Sequence, residues 1–142
     1  THGHQMCVDC DLVFILALKG ALNGFEKEDI LKNVLLGAEK INSKIAKKIE
    51  ETVLLDWEDL PTSGYCLDTL CSSMWGLLKH NSLFDSVVAV ANRGDDADSC
   101  AAVTGALCGA YYGFEAIPSK WLSVLEFKDQ IKNEVDRLFR DL

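Results

Sequence analysis

Apolar residues recur at intervals of three and four positions along nearly the whole chain, a spacing typical of helices with one buried face. No segment shows the sustained alternation of apolar and polar residues that a half-buried strand requires. The spacing predicts helices at about residues 5–22, 25–40, 43–54, 67–79, 82–92, from the acidic cluster to 112, and 127–142, with a short turn beginning at Pro118. The sequence therefore predicts an all-α fold, which we expect to be a compact arrangement of many helices.

Residues that start or stop helices fall between these segments. Asn23 and Gly24 follow the first segment and are typical of a helix C-terminus. Pro61 and Gly64 interrupt the pattern ahead of the fourth segment, and Ser82 can cap the fifth. The last segment is amphipathic, and we expect it to pack through its apolar side, which consists of Ile131, Val135, Leu138 and Phe139.

The composition is that of one folded domain. Hydrophobic residues make up 49% of the 142 positions and only two residues are proline, so we assign residues 1–142 to a single domain. The net charge of −8 argues against nucleic acid or an anionic membrane as the main partner, because both favour clustered Lys and Arg. The sequence shows no signal peptide and no apolar run near the ~20 residues that span a bilayer, which predicts a cytoplasmic location.

Six cysteines could form disulfides, bind metal or act as small buried hydrophobes. Cys7 and Cys10 form a CxxC motif, which is typical of a redox pair or of half a zinc site. The chain has no second CxxC motif, and no predicted strand precedes the first. The other cysteines lie mostly in apolar helical segments, so we expect reduced, structural thiols.

An acidic cluster, "NRGDDADSC", precedes the sixth predicted helix. In one interpretation, Asp96 and Asp98 lie in the first helical turn and accept hydrogen bonds from its free N–H groups. In the other, these carboxylates and a neighbouring hydroxyl bind a hard cation such as Mg²⁺, which would offset the repulsion between like charges. The residues alone leave both interpretations open.

The segment "NRGDDADSCAAVTGALCGAYYGFEAIPSKWL" closely resembles the ADP-ribosylglycohydrolase family. Members of that family carry an Asn-x-Gly-Gly-Asp-Thr-Asp-Thr motif, an Ala-rich helix ending in Gly-Ala-x-x-Gly, and an Ile-Pro-x-x-Trp turn. "THGHQ" is similar to the family's Thr-His element, and "GYCLDTLCSSMWGLL" is similar to its Gly-Tyr-x-x-Asp-Thr-Leu helix. The motifs also occur in the family's order, so the resemblance extends over almost the whole chain.

The resemblance implies an all-α hydrolase with a binuclear Mg²⁺ (or Mn²⁺) centre, which cleaves the bond between ADP-ribose and an acceptor such as arginine or serine. Asp96 and Asp98 match the family's metal-binding aspartates, and Ser99 matches its hydroxyl ligand. His2 matches a histidine that contacts the bound nucleotide, and Tyr65 matches an aromatic residue at the substrate pocket. The expected substrate is an ADP-ribosylated protein or a small ADP-ribosyl compound.

The sequence departs from the family pattern in two ways. Asp95 replaces the second glycine of the acidic motif, and Ala97 replaces its first threonine. The family's N-terminal half, with its Thr/Ser-Asp-Asp-Thr metal motif, is absent from these residues. We therefore expect the C-terminal half of the fold, which would need an N-terminal half or a homo-oligomer partner for hydrolysis. The alternative is a non-catalytic binding or structural module on the same scaffold, as in related lens crystallins.

Overall fold

The computed structural model describes residues 2–140, which form helices and connecting loops without a β-strand. The α-helices are α1 (Gln5–Leu22), α2 (Lys27–Ile41), α3 (Ser43–Thr52), α4 (Cys66–Lys79), α5 (Leu83–Ala91), α6 (Ala97–Tyr112), α7 (Ser119–Val124) and α8 (Lys128–Arg140). Short 3₁₀ turns lie at Trp57–Asp59 and Phe114–Ala116. The prediction of an all-α fold is confirmed. None of the described helices is long and apolar enough to cross a membrane.

Several helix ends follow directly from local sequence. Helix α1 has the predicted bounds and ends at Leu22, with Asn23 as its C-cap residue. Gly24 follows with a φ of 72°, which glycine readily adopts. Ser82 caps α5, because its hydroxyl accepts a hydrogen bond from the Asp85 amide at 3.0 Å. Helix α3 ends at Thr52, two residues before the predicted end at Leu54.

Helix α4 lies at the centre of the fold, and every residue from 71 to 77 is buried. It packs against α1, α3, α5 and α6. Gly76 permits the close approach of α4 to α6, because a Cβ atom at this position would lie only 2.8 Å from Cγ2 of Thr104. This packing fixes the start of α6, where the acidic cluster lies, relative to α4.

A buried carboxylate links α1 to α3. Asn42 caps α3 by accepting a hydrogen bond from the Lys44 amide at 3.2 Å, and its Nδ2 donates to Asp9 at 2.9 Å. Gln5 also donates to Asp9, at 2.7 Å. The hydrogen bonds from Asn42 and Gln5 lower the pKa of Asp9, because they stabilise its charged form.

Helix α8 corrects one prediction. Three of the residues on its predicted packing side are exposed, namely Ile131, Val135 and Leu138, at 50%, 44% and 68% of their surface. The amphipathic pattern predicted the helix itself correctly, but a periodic sequence does not specify which surface covers the apolar side. The side chain of Phe139 and residues 141–142, which belong to the same prediction, lie outside the described part of the chain.

Candidate functional site

The acidic loop, residues 93–96, adopts an unusual backbone conformation immediately before α6. Gly94 has a φ of 85° and Asp95 a φ of 56°. The left-handed region is open to glycine and is uncommon for other residues, although Asp enters it more readily than most. Asp95 thus adopts a conformation that glycine would favour at the position where the family motif carries glycine.

Asp96 is the N-cap residue of α6, but its carboxylate makes no capping hydrogen bond to a helix amide. Instead it accepts a hydrogen bond from the Ser99 hydroxyl, with a distance of 3.0 Å between Oδ1 and Oγ. The structure therefore gives the capping interpretation of Asp96 no support. Its carboxylate and the Ser99 hydroxyl lie together at the helix start, as a shared ligand group would require.

Asp98 and Ser99 are exposed in the first turn of α6, while Asp96 is half-buried. Their oxygen atoms are hard donors of the kind that Mg²⁺ and Mn²⁺ prefer, so the residues fit such an ion chemically. Among residues 2–140, however, no group of three or more His, Cys, Asp or Glu side chains is arranged to hold a metal. The two aspartates and the serine thus form at most part of a ligand set.

The loop before α4 forms a wall of this site. The amide of Asp96 donates to the carbonyl oxygen of Thr62 at 2.9 Å. A Cβ atom on Gly64 would lie 3.3 Å from Oδ2 of Asp96, so the glycine backbone lies directly against the carboxylate. Tyr65 follows Gly64, is exposed over 49% of its surface, and is the N-cap residue of α4. The structure therefore places the residue immediately before Tyr65 against the Asp96 carboxylate.

Asp68 anchors the same loop, which the residue assignments above did not anticipate. It accepts a hydrogen bond from the Ser63 hydroxyl at 2.6 Å and lies 3.9 Å from Nζ of Lys48. Ser63 in turn accepts a hydrogen bond from the Tyr65 amide at 3.2 Å. The aspartate of the Gly-Tyr-x-x-Asp-Thr-Leu motif was a sequence signal for this role, whereas nothing in the sequence singled out Ser63 or Lys48.

His2 lies in the segment before α1 and is exposed. Its Nδ1 accepts a hydrogen bond from the His4 amide at 3.2 Å, while the side chain of His4 caps α1. No hydrogen bond among the described residues joins His2 to Tyr65 or to the acidic loop. The assignment of His2 to the nucleotide is therefore still a prediction.

A cavity of about 380 Å³ lies where α1, α4 and α6 meet. Its lining residues are Cys10, Asp11, Phe14, Cys66, Thr69, Leu70 and Val103. Val103 is one turn beyond Ser99 on α6, so the cavity lies along the helix that carries the acidic residues. Its lining is predominantly apolar, and the candidate ligands Asp96, Asp98 and Ser99 are not among the lining residues.

All six cysteines are free thiols, which confirms the prediction that they are reduced. Burial raises the pKa of Cys71 to about 12, and it also raises the pKa values of Cys10 and Cys108. A hydrogen bond with Cys66 raises the pKa of Cys7. High pKa values keep thiols protonated and therefore poorly nucleophilic at neutral pH.

The fold and the site define an all-α protein that presents carboxylate and hydroxyl oxygens at the start of a packed helix. The sequence matches the ADP-ribosylglycohydrolase family over residues 1–142. The chain belongs to this family.

Named relatives within the family are hydrolases. The chain is 30% identical to the ADP-ribosylarginine hydrolase Tri1 of Pseudomonas putida (strain GB-1), over 98% of this chain and 37% of that protein. It is 42% identical to Tri1 of Serratia proteamaculans (strain 568), over 58% of this chain and 22% of the relative. It is 35% identical to the ADP-ribosyl-[dinitrogen reductase] glycohydrolase of Rhodospirillum rubrum, over 54% of this chain and 27% of the relative. The chain thus spans less than half the length of the curated relatives it matches.

Proposed function

We propose that this chain is the C-terminal part of a metal-dependent hydrolase that releases ADP-ribose from a modified acceptor. The observation that carries the proposal is the Asp96 carboxylate, which is hydrogen-bonded to Ser99 and makes no capping bond to α6. A carboxylate whose only role is to cap the helix would be expected to accept a hydrogen bond from one of the free N–H groups at the helix start. Membership of the family supports the same reaction class.

Asp96, Asp98 and Ser99 would hold Mg²⁺ or Mn²⁺, as one part of a binuclear centre. When bound, such an ion supplies Lewis-acid polarisation and stabilises charge that develops as the glycosidic bond breaks. Ser99 holds Oδ1 of Asp96, and the backbone of Gly64 limits the space beside Oδ2. These contacts leave the carboxylate few positions, which favours a defined ligand geometry.

We assign substrate binding to His2 and Tyr65. Tyr65 presents an exposed ring next to the loop that contacts Asp96, and an aromatic face at this position could flank the ADP-ribose group. His2 is exposed on the short segment ahead of α1. Its Nδ1 accepts a hydrogen bond from the His4 amide, so its Nε2 could donate a hydrogen bond to a pyrophosphate oxygen. The relatives named for arginine-linked ADP-ribose and for dinitrogen reductase favour an ADP-ribosylated protein over a small ADP-ribosyl compound.

A complementary segment of the same fold would complete the site. Helix α1 carries only three charged residues in 18 positions, yet Val8, Leu12 and Ile15 on it are exposed at 38%, 46% and 56%. A helix that is apolar on most of its surface is normally buried. We propose that the N-terminal half of the glycohydrolase fold covers this face and contributes further metal ligands, and a homo-oligomer partner is the competing outcome.

Metal binding and hydrolysis can be tested together on the intact protein that carries this chain. Mn²⁺ binding is measured by electron paramagnetic resonance, and ADP-ribose release is measured from arginine-linked and serine-linked substrates. Asp98→Asn should abolish both. Asp129→Asn is the matched control, because Asp129 is exposed at the same position of the first turn of α8.

Two outcomes would contradict the proposal in different ways. Equal Mn²⁺ affinity in Asp98→Asn and the unaltered protein would remove Asp98 from the ligand set. A protein that binds ADP-ribose but releases none from either substrate would instead support the non-catalytic module. Gel filtration and intact mass distinguish a complementary segment from a second copy of this chain.

A further inference from the structure

The segment of residues 57–62, here called the bracing segment, contacts the acidic loop over a long sequence separation. Thr62 makes two of these contacts: its hydroxyl donates to the Gly94 carbonyl oxygen at 3.0 Å, and its carbonyl oxygen accepts from the Asp96 amide at 2.9 Å. Thr62 is only 4% exposed, so these hydrogen bonds are shielded from water. They hold the Gly94 carbonyl oxygen and the Asp96 amide, and so fix the backbone on both sides of Asp95, which like Gly94 is left-handed.

Arg93 makes the remaining contacts. Its Nε donates to the Leu60 carbonyl oxygen at 3.0 Å, and its guanidinium lies over the ring of Trp57, 5.2 Å from the ring centroid. The indole Nε1 of Trp57 donates to the Ala89 carbonyl oxygen at 2.7 Å, which fixes the ring on α5. Arg93 is therefore attached to two points of the bracing segment.

The conformation of the loop explains why such contacts are needed. A left-handed φ at Asp95 is unfavourable for a residue with a side chain, and such conformations persist only when the surrounding structure determines them. The negative charges of Asp95, Asp96 and Asp98 also repel one another when no cation is bound. Without external contacts, the loop would relax to a conformation in which these carboxylates lie farther apart.

Arg93 also leaves the carboxylates available. Among residues 2–140, no ion pair within 4.0 Å joins Arg93 to an acidic side chain. Its Nε donates to the Leu60 carbonyl oxygen, and the planar face of its guanidinium lies over the Trp57 ring. An arginine bound directly to Asp96 or Asp98 would instead compete with a cation for the same oxygen atoms.

We propose that Arg93 is a positioning residue, which acts through Leu60 and Trp57 to hold the acidic loop in the geometry that lets Asp96 and Asp98 bind a divalent cation. This inference rests on the proposed function, because it concerns the same ligands. It assigns a role to the non-motif segment 57–62, whose hydrogen bonds to Arg93, to Gly94 and to the Asp96 amide set the position of the loop that carries the proposed ligands.

The test uses Arg93→Met in the intact protein, with Mn²⁺ affinity measured by electron paramagnetic resonance and amide hydrogen exchange measured over residues 94–98. We expect about tenfold weaker Mn²⁺ binding, the size of effect typical when a residue that orients metal ligands is lost, and faster exchange of the Asp96 amide. Arg93→Lys keeps the positive charge but loses the Nε donor, so its affinity should lie between those of Arg93→Met and the unaltered protein. Arg137→Met is the matched control, because Arg137 is exposed on α8.

A second comparison separates positioning from general destabilisation. Val34→Ala opens a cavity in the core at α2, which carries neither the acidic loop nor the bracing segment, so it should lower the melting temperature without changing the Mn²⁺ dissociation constant. Unchanged Mn²⁺ affinity in Arg93→Met would overturn the inference while the proposed function stands. Equal weakening of Mn²⁺ binding in Val34→Ala and Arg93→Met, at equal loss of stability, would also overturn it. Failure of the unaltered protein to bind Mn²⁺ would overturn the proposed function and this inference together.

Discussion

Gly64 lies against the carboxylate of Asp96, so closely that a Cβ atom at residue 64 would be 3.3 Å from Oδ2. The two residues come from the loop before α4 and the start of α6, which the packing of these helices brings together. This contact explains why the Gly-Tyr motif has glycine at this position, and the explanation does not depend on backbone conformation. The absence of a side chain leaves room for the Asp96 carboxylate.

Gly64→Ala should weaken metal binding without unfolding the protein. The added methyl group would force the Asp96 carboxylate to shift by a few tenths of an ångström, and we expect Mn²⁺ affinity to fall by up to about tenfold. Isothermal titration with Mn²⁺ measures this effect. Gly109→Ala is the control, because nothing lies within 4 Å of a Cβ atom at that position; a change of equal size there would contradict the prediction.

Gly76→Ala should destabilise the fold through the α4–α6 contact. Its Cβ atom would lie 2.8 Å from Cγ2 of Thr104, and Thr104 is fully buried and held by a hydrogen bond to the Cys100 carbonyl oxygen at 2.8 Å. Overpacking of this kind costs about 1–3 kcal/mol in the free energy of unfolding. Urea denaturation measures the change. Gly109→Ala should move stability in the opposite direction, by about 0.5 kcal/mol, because alanine is the better helix former.

The free energy of unfolding should depend on pH in a way that reflects the hydrogen bond between Asp9 and Asn42. The folded-state pKa of Asp9 is lowered, so its contribution is present above the unfolded-state pKa of about 3.9 and is lost as pH falls through the lower folded-state pKa. Asn42→Ser keeps an oxygen that can cap α3 but removes the Nδ2 donor. We therefore expect a higher pKa for Asp9 in this variant, together with less loss of stability on acidification below about pH 4.

Carboxyl carbon chemical shifts measured by NMR give the pKa of Asp9 directly, and urea denaturation between acidic and neutral pH gives the stability. An unchanged Asp9 titration in Asn42→Ser would show that this hydrogen bond does not determine the pKa. Gln5→Met tests the second donor in the same way, since Gln5 also donates to the Asp9 carboxylate.

The helices could be predicted from sequence more completely than the site. The bounds of α1 and the cap of α5 at Ser82 depend on neighbouring residues, and such local signals are present in the sequence itself. The contact between Thr62 and Asp96 joins residues far apart in the chain, so no local pattern indicates it. The exposed apolar side of α8 shows the same limit, because periodicity predicts that a face is apolar without specifying its partner.

The acidic cluster shows what a motif predicts and what it leaves open. The resemblance implied roles for Asp96, Asp98 and Ser99, and the structure adds that the Asp96 carboxylate does not cap α6. The left-handed φ of Asp95 and the support from Arg93 depend on the packing of α5 against the bracing segment. Those features arise from tertiary structure, so the spacing of residues in the sequence does not predict them.

The reactivity of the thiols should divide the six cysteines into two groups. Cys7 and Cys66 are half-buried, whereas the other four are buried, namely Cys10, Cys71, Cys100 and Cys108. Iodoacetamide reacts with the thiolate form and needs access to it, so at about pH 8 we expect alkylation of Cys7 and Cys66 first. The pKa of about 12 for Cys71 adds chemical protection to burial.

Mass spectrometry of peptides after timed alkylation measures the order, and alkylation in urea provides the unfolded reference. Cys66→Ala removes the hydrogen-bond partner that raises the pKa of Cys7, so Cys7 should then be alkylated faster. Cys108→Ala is the control, since Cys108 is buried and that burial is the main cause of its raised pKa. Alkylation of Cys71 as fast as Cys7 in the folded protein would contradict the packing of α4 described above, because Cys71 is fully covered there.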